Sequence, residues 1–193
     1  MNYGTLPSRF LNAIDNLPNP RAQMVRRDGR WEAISSQEFL RRVAGLSTAL
    51  VELGVKPGDR VGLFSANRPE WHTADFAITG AGAITVPVYF NESPDRMTYI
   101  LNHCGAKVVL VVGVPQLQKL LAVRSNLPEL EQTVVADGGS DVPSECLRYE
   151  TLIAGASAAD VSAYRMRASQ VLPGQLASLI YTSGTTGEPK GVM

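Results

Sequence analysis

Hydrophobic positions between residues 35 and 136 follow two alternating patterns. In the first pattern, apolar residues recur every three or four positions and would share one face of a helix. The clearest case consists of Phe39, Val43, Leu46, Leu50 and Leu53. A capping box, Ser35-x-x-Glu38, precedes this run and Gly54 follows it, which predicts where the helix begins and ends.

In the second pattern, short apolar runs stand between turn residues. These runs predict strands at Arg60–Ser65, 83–89, 107–112 and Gln132–Ala136. Helices are predicted between them over 69–79, from Ser93-Pro94 to Gly105, and over 114–124. Regular alternation of strand and helix is typical of βαβ units. We therefore expect one α/β unit, with a mostly parallel sheet flanked by helices.

The rest of the chain is patterned differently. Asp28-Gly29 lies between two alternating segments and predicts a β-hairpin from Gln23 to Ile34. From Asp137 to about Gln170 the pattern weakens to a loop, one or two helical turns at Tyr149–Ala154 and an ambiguous alanine-rich stretch. We expect this region to be a surface excursion. The apolar run 176–182 then predicts a buried strand.

Composition limits the classes of function. The 193 residues carry 18 basic and 18 acidic side chains, so the basic footprint of a nucleic-acid-binding protein is missing. The first residues lack the apolar segment of a signal peptide, and the longest charge-free run, 76–91, is shorter than the roughly 20 apolar residues that span a bilayer. Cys104 and Cys146 have no metal-ligand spacing, which favours reduced thiols. We expect a soluble, cytoplasmic protein.

One short segment carries the strongest functional signal, Tyr181-Thr-Ser-Gly-Thr-Thr-Gly-Glu-Pro-Lys-Gly-Val192. Its glycines let backbone N–H groups approach phosphate oxygens closely, and its hydroxyls and one lysine add further donors. The segment is not the phosphate loop of kinases and GTPases, in which the lysine directly follows a glycine and precedes a hydroxyl residue. A flexible linker is the plain alternative. The apolar run before the segment and its Pro-Lys-Gly ending argue against a linker.

This segment resembles the signature loop of the adenylate-forming enzymes, Thr-Ser-Gly-Thr-Thr-Gly-x-Pro-Lys-Gly, with every position present. Upstream, Asn67-Arg-Pro-Glu-Trp71 and the run 83–89 are most similar to the long-chain fatty acyl-CoA ligase branch. The resemblance implies that residues 1–193 are the first part of the large N-terminal, AMP-binding domain of an acyl-CoA synthetase. That part ends at the loop 181–192, and the C-terminal domain is absent. For Trp71 we expect a core position, and for Gly80 and Gly82 close helix–sheet contacts.

The resemblance also implies roles for single residues. Family members join a carboxylate to ATP, giving acyl-AMP and pyrophosphate, and then pass the acyl group to the thiol of coenzyme A. Gly184 and Gly187 would let the backbone wrap the phosphates. The predicted hydroxyl donors to ATP are Thr182, Ser183, Thr185 and Thr186. Lys190 would supply the catalytic positive charge, and Thr182 is the predicted ligand of Mg²⁺.

The implied partners are ATP, coenzyme A and a small-molecule carboxylate, for which a long-chain fatty acid is the first choice. Aryl acids and amino acids stay open as alternatives. Because several family essentials lie downstream of the loop, we expect this chain alone to be inactive. A stand-alone, non-catalytic module for nucleotide binding or assembly is the other hypothesis. Uncovered sheet edges predict a homodimer or exposed apolar surface, and the sequence leaves peripheral membrane contact open without arguing for it.

The remaining candidate groups favour structure over chemistry. His72 and His103 have no carboxylate or second ligand at useful spacing, so we expect structural or surface roles for both. Glu70, Asp75 and Glu92 are isolated carboxylates without a partner in the sequence.

Overall fold

The computed structural model describes residues 4–140, 142–182 and 189–193. The first part contains helix α1 (Leu6–Asn16), strands β1 (Gln23–Arg27) and β2 (Arg30–Ile34), and helix α2 (Ser36–Glu52). The middle part alternates β3 (Arg60–Ser65), α3 (Pro69–Gly80), β4 (Ile84–Tyr89), α4 (Pro94–Cys104), β5 (Val108–Val112), α5 (Val114–Ala122) and β6 (Gln132–Ala136), with a 3₁₀ turn at Arg124–Asn126. The last part contains β7 (Leu147–Arg148), α6 (Tyr149–Ala154), α7 (Ala158–Gln170), β8 (Ile180–Thr182) and β9 (Lys190–Val192).

Five of these strands form a parallel sheet in the order β4-β3-β5-β6-β7. The predicted α/β class, the hairpin and the four central strands are confirmed, with boundaries that shift by one or two residues. Helix α1 and the two-residue edge strand β7 were not predicted. The strand order reverses next to β3, which pairs with β4 on one side and β5 on the other, and ligands of open parallel sheets collect at the carboxyl ends of the strands beside such a reversal.

Two apolar cores lie on opposite faces of this sheet. Strand β5 shows the division: Val108, Leu110 and Val112 pack into one core, and Val109 and Val111 pack into the other. The first core is covered by α1, α2, α3, α6 and α7, and the second by α4 and α5. A strand that is buried on both faces has no polar side, which explains why these runs are continuously apolar.

Helix α2 forms as its spacing predicts, with one difference at the amino end. The Ser35 hydroxyl accepts a hydrogen bond from the Glu38 N–H at 3.2 Å. The Glu38 carboxylate accepts from Arg41 and Arg42 at 2.7 and 2.6 Å, so the reciprocal half of the predicted capping box is replaced by a pair of salt bridges. Two arginines within the next turn compete successfully for the carboxylate because their hydrogen bonds are charge-assisted.

The predicted surface excursion before residue 170 is wrong. Helix α7 occupies its last 13 residues and packs against α1, α2 and α3. Its Tyr164 side chain is fully buried, and the Tyr164 hydroxyl donates to the Phe76 carbonyl at 3.0 Å. Only Tyr164 and Ala168 of this helix are fully enclosed, so the apolar stripe is too narrow to reveal the helix in the sequence.

The contacts of Gly80 also differ from those predicted. A Cβ atom at Gly80 would lie 2.1 Å from the Tyr164 ring, so this glycine permits close approach of helix α7 rather than of the sheet. Gly82 has a φ of +76° and turns the chain beside Pro57.

Candidate functional site

The loop predicted to bind phosphate is flanked by a short antiparallel ladder. Strand β8 leads into the loop, strand β9 leaves it, and the register pairs Thr182 with Lys190 and Tyr181 with Gly191. Directly paired residues present their side chains on the same face of a ladder, with Cβ atoms about 5 Å apart. The Thr182 hydroxyl and the Lys190 ammonium group, both predicted from the sequence as phosphate ligands, are therefore neighbours. Both side chains are exposed.

Five other predicted phosphate ligands, Ser183, Gly184, Thr185, Thr186 and Gly187, lie outside the described residues. Their roles stay predictions. Of the predicted site, the structure brings together Thr182 and Lys190 at the two ends of the loop.

The segment that carries β8 is fixed to the outer edge of β4. The Thr85 N–H donates to the Ala177 carbonyl at 3.0 Å, and the Leu179 N–H donates to the Thr85 carbonyl at 2.9 Å. The Ser178 hydroxyl also donates to the Thr85 carbonyl, at 3.2 Å. Because the bridge between Thr85 and Ser178 is parallel, the segment that leads into the loop runs in the same direction as β4, towards the carboxyl edge of the sheet.

The prediction of a buried strand over 176–182 is wrong in two respects. Only the last three residues form a strand, and Ile180 within it is 52% exposed. The segment lies at the edge of the sheet, with β4 on one side and only the short strand β9 on the other. This position leaves its side chains partly exposed.

The partly buried carboxylate of Asp75, on helix α3, supports this attachment. The Thr85 hydroxyl donates to the Asp75 carboxylate at 2.7 Å. Burial raises the pKa of Asp75 above its usual value, and the Thr85 hydrogen bond opposes that shift. Asp75 has no partner in the sequence pattern, because the contact crosses from helix α3 to the following strand.

Three aromatic rings hold the other side of the ladder against helix α4. His103 Nδ1 lies 2.7 Å from the Tyr181 hydroxyl, the two rings meet edge to face, and Tyr99 stacks on His103 with ring centroids 5.4 Å apart. Burial, followed by the charges of Cys104 and Tyr99, raises the pKa of Tyr181 to about 12. The expected structural role of His103 is confirmed, and the sequence signal that could have located it is the Tyr99/His103 spacing of one helical turn.

A glycine opposite Tyr181 makes room for its ring. A Cβ atom at Gly191 would lie 3.3 Å from the Tyr181 ring and 3.0 Å from the Leu179 side chain. The glycine after the predicted catalytic lysine therefore has a packing role within the ladder.

A cleft of about 400 Å³ opens at the carboxyl ends of β3 and β4. Its lining consists of Ser65, Asn67, Trp71, Pro87, Val88, Tyr89 and Phe90. Trp71 is half-buried and packs against the first core while it also lines this cleft, so the predicted core position is confirmed in part. Helix α3 begins at this edge of the sheet, and Trp71 in its first turn lines the opening.

The other candidate groups from the sequence, Glu70, Glu92 and His72, have structural partners. Glu70 is buried between Arg27 and Arg68 at 3.3 and 3.4 Å, and Glu92 pairs with Arg96 at 3.0 Å. His72 is exposed, with Nδ1 3.3 Å from the Arg68 carbonyl. Across the described ranges, histidines, cysteines and carboxylates form no cluster of three that could hold a metal ion.

Both cysteines carry free thiols, as expected from their spacing. Burial raises the pKa of Cys104 to about 11, which keeps this thiol protonated and unreactive. Among the residues that the structure describes, no helix combines the length and the apolar character needed to cross a membrane.

The family model and the similar proteins point to the same family. The family model described as AMP-binding enzyme matches residues 13–193. A long-chain-fatty-acid–CoA ligase of Rattus norvegicus is 30% identical over 98% of this chain, and one of Mycobacterium bovis is 33% identical over 85% of it. The chain spans about a quarter of the length of these curated relatives, 26% in each case.

Solved structures agree. The anthranilate CoA ligase AuaEII in complex with anthranoyl-AMP is 29% identical, with a TM-score of 0.79 over 95% of this chain and 33% of that protein. The acetoacetyl-CoA synthetase from Streptomyces lividans has a TM-score of 0.79 over 97% of this chain and 30% of that protein, and at 23% identity it supports the fold alone.

Proposed function

This chain belongs to the AMP-binding enzyme family, and from that membership we propose that it is the amino-terminal part of an ATP-dependent long-chain fatty acid–CoA ligase. The proposed reaction joins a carboxylate to ATP with release of pyrophosphate, and then transfers the acyl group to coenzyme A. We further propose that residues 1–193 are a partial AMP-binding domain whose catalytic partners are supplied by other parts of a longer protein.

The pairing of Thr182 with Lys190 carries this proposal. The Thr182 hydroxyl and the Lys190 ammonium group lie on the same face of the ladder, at the two ends of a loop rich in glycine and hydroxyl residues. Negative charge builds up on the departing β- and γ-phosphates when a carboxylate attacks the α-phosphorus. Donors placed beforehand at that position lower the barrier without reorganisation during the reaction.

Each side chain has a definite part in this proposal. The Thr182 hydroxyl donates to a phosphate oxygen, and the Lys190 ammonium group neutralises charge on the pyrophosphate as the bond to the α-phosphorus breaks. Charge-assisted contacts of this kind contribute on the order of 1.5–3 kcal/mol each. Tyr181, His103 and Thr85 do not touch the nucleotide in this scheme and instead fix the two ends of the ladder.

The donor set fits a magnesium ion that arrives with ATP. Mg²⁺ is usually held by substrate phosphates and water together with one or two protein oxygens. The exposed Thr182 hydroxyl can supply one such oxygen, and the described part of the chain has no cluster of acidic residues that could bind the ion on its own. When bound, Mg²⁺ offsets the charge of the phosphates.

The nature of the acid is proposed from the relatives. The ligases of Rattus norvegicus and Mycobacterium bovis are named for long-chain fatty acids, which favours that substrate class. An aryl acid is the second candidate, because the anthranilate ligase is 29% identical and closely similar in structure. The comparison of palmitate, benzoate and an amino acid in pyrophosphate exchange separates these classes.

The first test uses the longer protein that contains this chain. We expect Lys190→Ala to slow fatty-acid-dependent pyrophosphate exchange roughly 10²–10³-fold, the range seen when one preorganised charge-stabilising group is removed. The effect should fall on kcat and leave the KM of the acid nearly unchanged. Lys56→Ala is the matched control, because Lys56 is exposed in the turn before β3, at the opposite edge of the sheet. Equal rates for wild type and Lys190→Ala would contradict the role of Lys190.

A second test separates the ligase from the alternative of a non-catalytic binding module. The 193-residue chain alone should show no pyrophosphate exchange above blank, while the longer protein should be active. If the longer protein binds ATP but activates none of the three acids, the non-catalytic module is favoured.

A further inference from the structure

A second cavity lies at the amino edge of the parallel sheet, away from the loop that follows the carboxyl edge. It has a volume of about 460 Å³ and is enclosed by the last turns of α2 and α7 and by the turns that lead into β3 and β4. Sites for small molecules usually have volumes of roughly 300–1,000 Å³. The cavity is therefore large enough for a ligand and is separate from the proposed nucleotide site.

The walls of this cavity are mostly apolar, and the charged groups on them are basic. Arg167, Gln170 and Gln175 supply the larger polar side chains, and no acidic side chain of the described chain lines the cavity. Lys56 borders it but is exposed, and a hydrated ammonium group contributes little to binding. The apolar lining consists of Val51, Val55, Pro57, Ala81 and Val171.

The Arg167 guanidinium is held in place without a counter-ion. Its Nη2 donates to the hydroxyls of Ser47 and Thr48, each at 3.3 Å, and its Nε is buried with no hydrogen-bond partner in the described chain. The Asp160 carboxylate, two turns earlier on α7, is engaged by Ser157 at 2.7 and 2.8 Å. Burial lowers the pKa of Arg167, and the charge of Asp160 offsets this only in part. A partly desolvated cation thus lines the cavity with its charge uncompensated.

The missing acceptor is better supplied by an anion than by water. A buried water needs about two to four polar partners, and the apolar walls offer few. A carboxylate matches the planar fork of a guanidinium and neutralises its charge. A polyanion such as pyrophosphate would place further charges against the apolar walls without partners.

We propose that this cavity binds an amphipathic monocarboxylate. The carboxylate accepts hydrogen bonds from the Arg167 guanidinium, and the amide groups of Gln170 and Gln175 are additional donors at the same end. The alkyl body packs against the valines of the lining, Val51 among them. This assignment does not depend on the proposed ligase reaction, because it involves neither ATP nor the loop.

Calorimetric titration of the 193-residue chain with sodium octanoate, in the absence of ATP, tests the proposal. We expect saturable binding at one site with a millimolar or tighter Kd. Burial of each methylene strengthens binding about fourfold, so hexanoate should bind roughly 15-fold more weakly. Octanol lacks the charge, acetate lacks the alkyl body, and both should bind far more weakly than octanoate. In NMR spectra, octanoate should shift the amide signals of Gly82 and Val171, which line the cavity.

Three variants on one helix separate the charge from the fold. Arg167→Gln removes charge-assisted hydrogen bonds and should weaken octanoate binding roughly 10–100-fold. Gln170→Glu places a carboxylate one turn from Arg167, where it should pair with the guanidinium, exclude octanoate and raise the Tm. Ser169→Glu is the matched control, because it adds the same charge at an exposed position that does not line the cavity. It should bind octanoate like wild type.

Several outcomes would overturn the proposal. They include no octanoate binding by wild type, equal binding of octanol, and tighter binding of pyrophosphate at the same amide signals. Shifts confined to the cleft beside Trp71 would place the ligand elsewhere. Unchanged binding in Gln170→Glu would exclude Arg167 as the partner even if Arg167→Gln fails to fold. Loss of octanoate binding in the longer protein would show that another part of that protein fills the cavity.

Discussion

At the scale of single residues, the absence of a side chain at Gly80 allows helix α7 to pack closely against α3. Tyr164 of α7 is fully buried, and its ring occupies the space where a Cβ atom of Gly80 would lie, 2.1 Å away. The Tyr164 hydroxyl completes the contact by donating to the Phe76 carbonyl one turn earlier in α3. Burial raises the pKa of this phenol, which therefore stays protonated and continues to donate.

We expect Gly80→Ala to destabilise the fold by about 1–3 kcal/mol, the usual cost of overpacking a core. The reason is that the added methyl group collides with the Tyr164 ring and pushes α7 away from α3. The free energy of unfolding in urea measures the effect. Gly174→Ala is the control, because a Cβ atom there meets no heavy atom within 4 Å. An unchanged unfolding midpoint for Gly80→Ala would show that α7 can shift at no cost.

At the scale of elements, α2 is held at its amino end by a carboxylate between two guanidinium groups. Hydrogen bonds from Arg41 lower the pKa of Glu38 to about 2, and Arg42 contributes to the same shift. Arg41 also donates to the Ile153 carbonyl at 3.0 Å, so the same cluster ties α2 to the end of α6. One carboxylate thus stabilises a helix and a contact between helices.

The pH dependence of stability should reveal this cluster. Because the pKa of Glu38 in the folded state is below the ordinary 4.5, its contribution is complete above pH 4.5 and is lost as the pH falls towards 2. Glu38→Gln should therefore cost about 1–2 kcal/mol at pH 7, after allowance for solvent screening of a partly exposed pair. The difference from wild type should shrink between pH 4.5 and 2. Glu52→Gln, at the other end of α2, is the control, and a constant difference across this range would contradict the assignment.

The sequence predicted elements well where burial depends on the element itself. Strand β5 is apolar at every position because both of its faces are covered, and α2 shows its buried stripe directly. Prediction failed where burial depends on distant residues. Helix α7 needs the gap at Gly80 to bury Tyr164, and the segment before the loop is half exposed because it lies on an edge that only the assembled sheet defines.

The candidate site was predictable to a similar extent. The motif predicted Thr182 and Lys190 as site residues, and the register of β8 and β9 puts the two side by side. The contacts of His103 with Tyr181 and of Asp75 with Thr85 were not predictable, because each joins residues that are brought together only by the fold. A local pattern identifies the groups that meet the ligand, whereas the supporting groups depend on topology.

At the scale of the whole molecule, large apolar side chains remain accessible on neighbouring strands at one edge of the sheet. Tyr89 ends β4 and Phe90 follows it, with 71% and 44% exposure, and Ile180 and Val192 of the β8–β9 ladder are 52% and 50% exposed. Exposed apolar surface at the edge of a sheet is a common site of association. We propose that this edge is where copies of the 193-residue chain associate.

We expect the isolated chain to bind a hydrophobic dye and to form dimers in light scattering at micromolar concentration. Ile180→Lys should reduce both signals, because a charge on an edge strand opposes pairing. Met166→Ala, on α7, should leave both unchanged. A monomer that binds no dye would contradict this prediction.

The hydrogen bond between Ser178 and Thr85 joins residues that are 93 positions apart in the chain. A ribosome adds about 5–20 residues per second, so roughly 5–20 s separate the synthesis of the two partners. Strand β4 can pair with β3 long before the later segment exists, whereas that segment has no edge to join until β4 is in place. The segment that carries residues 177–179 therefore joins the sheet only after β3 and β4 have been synthesised and can pair.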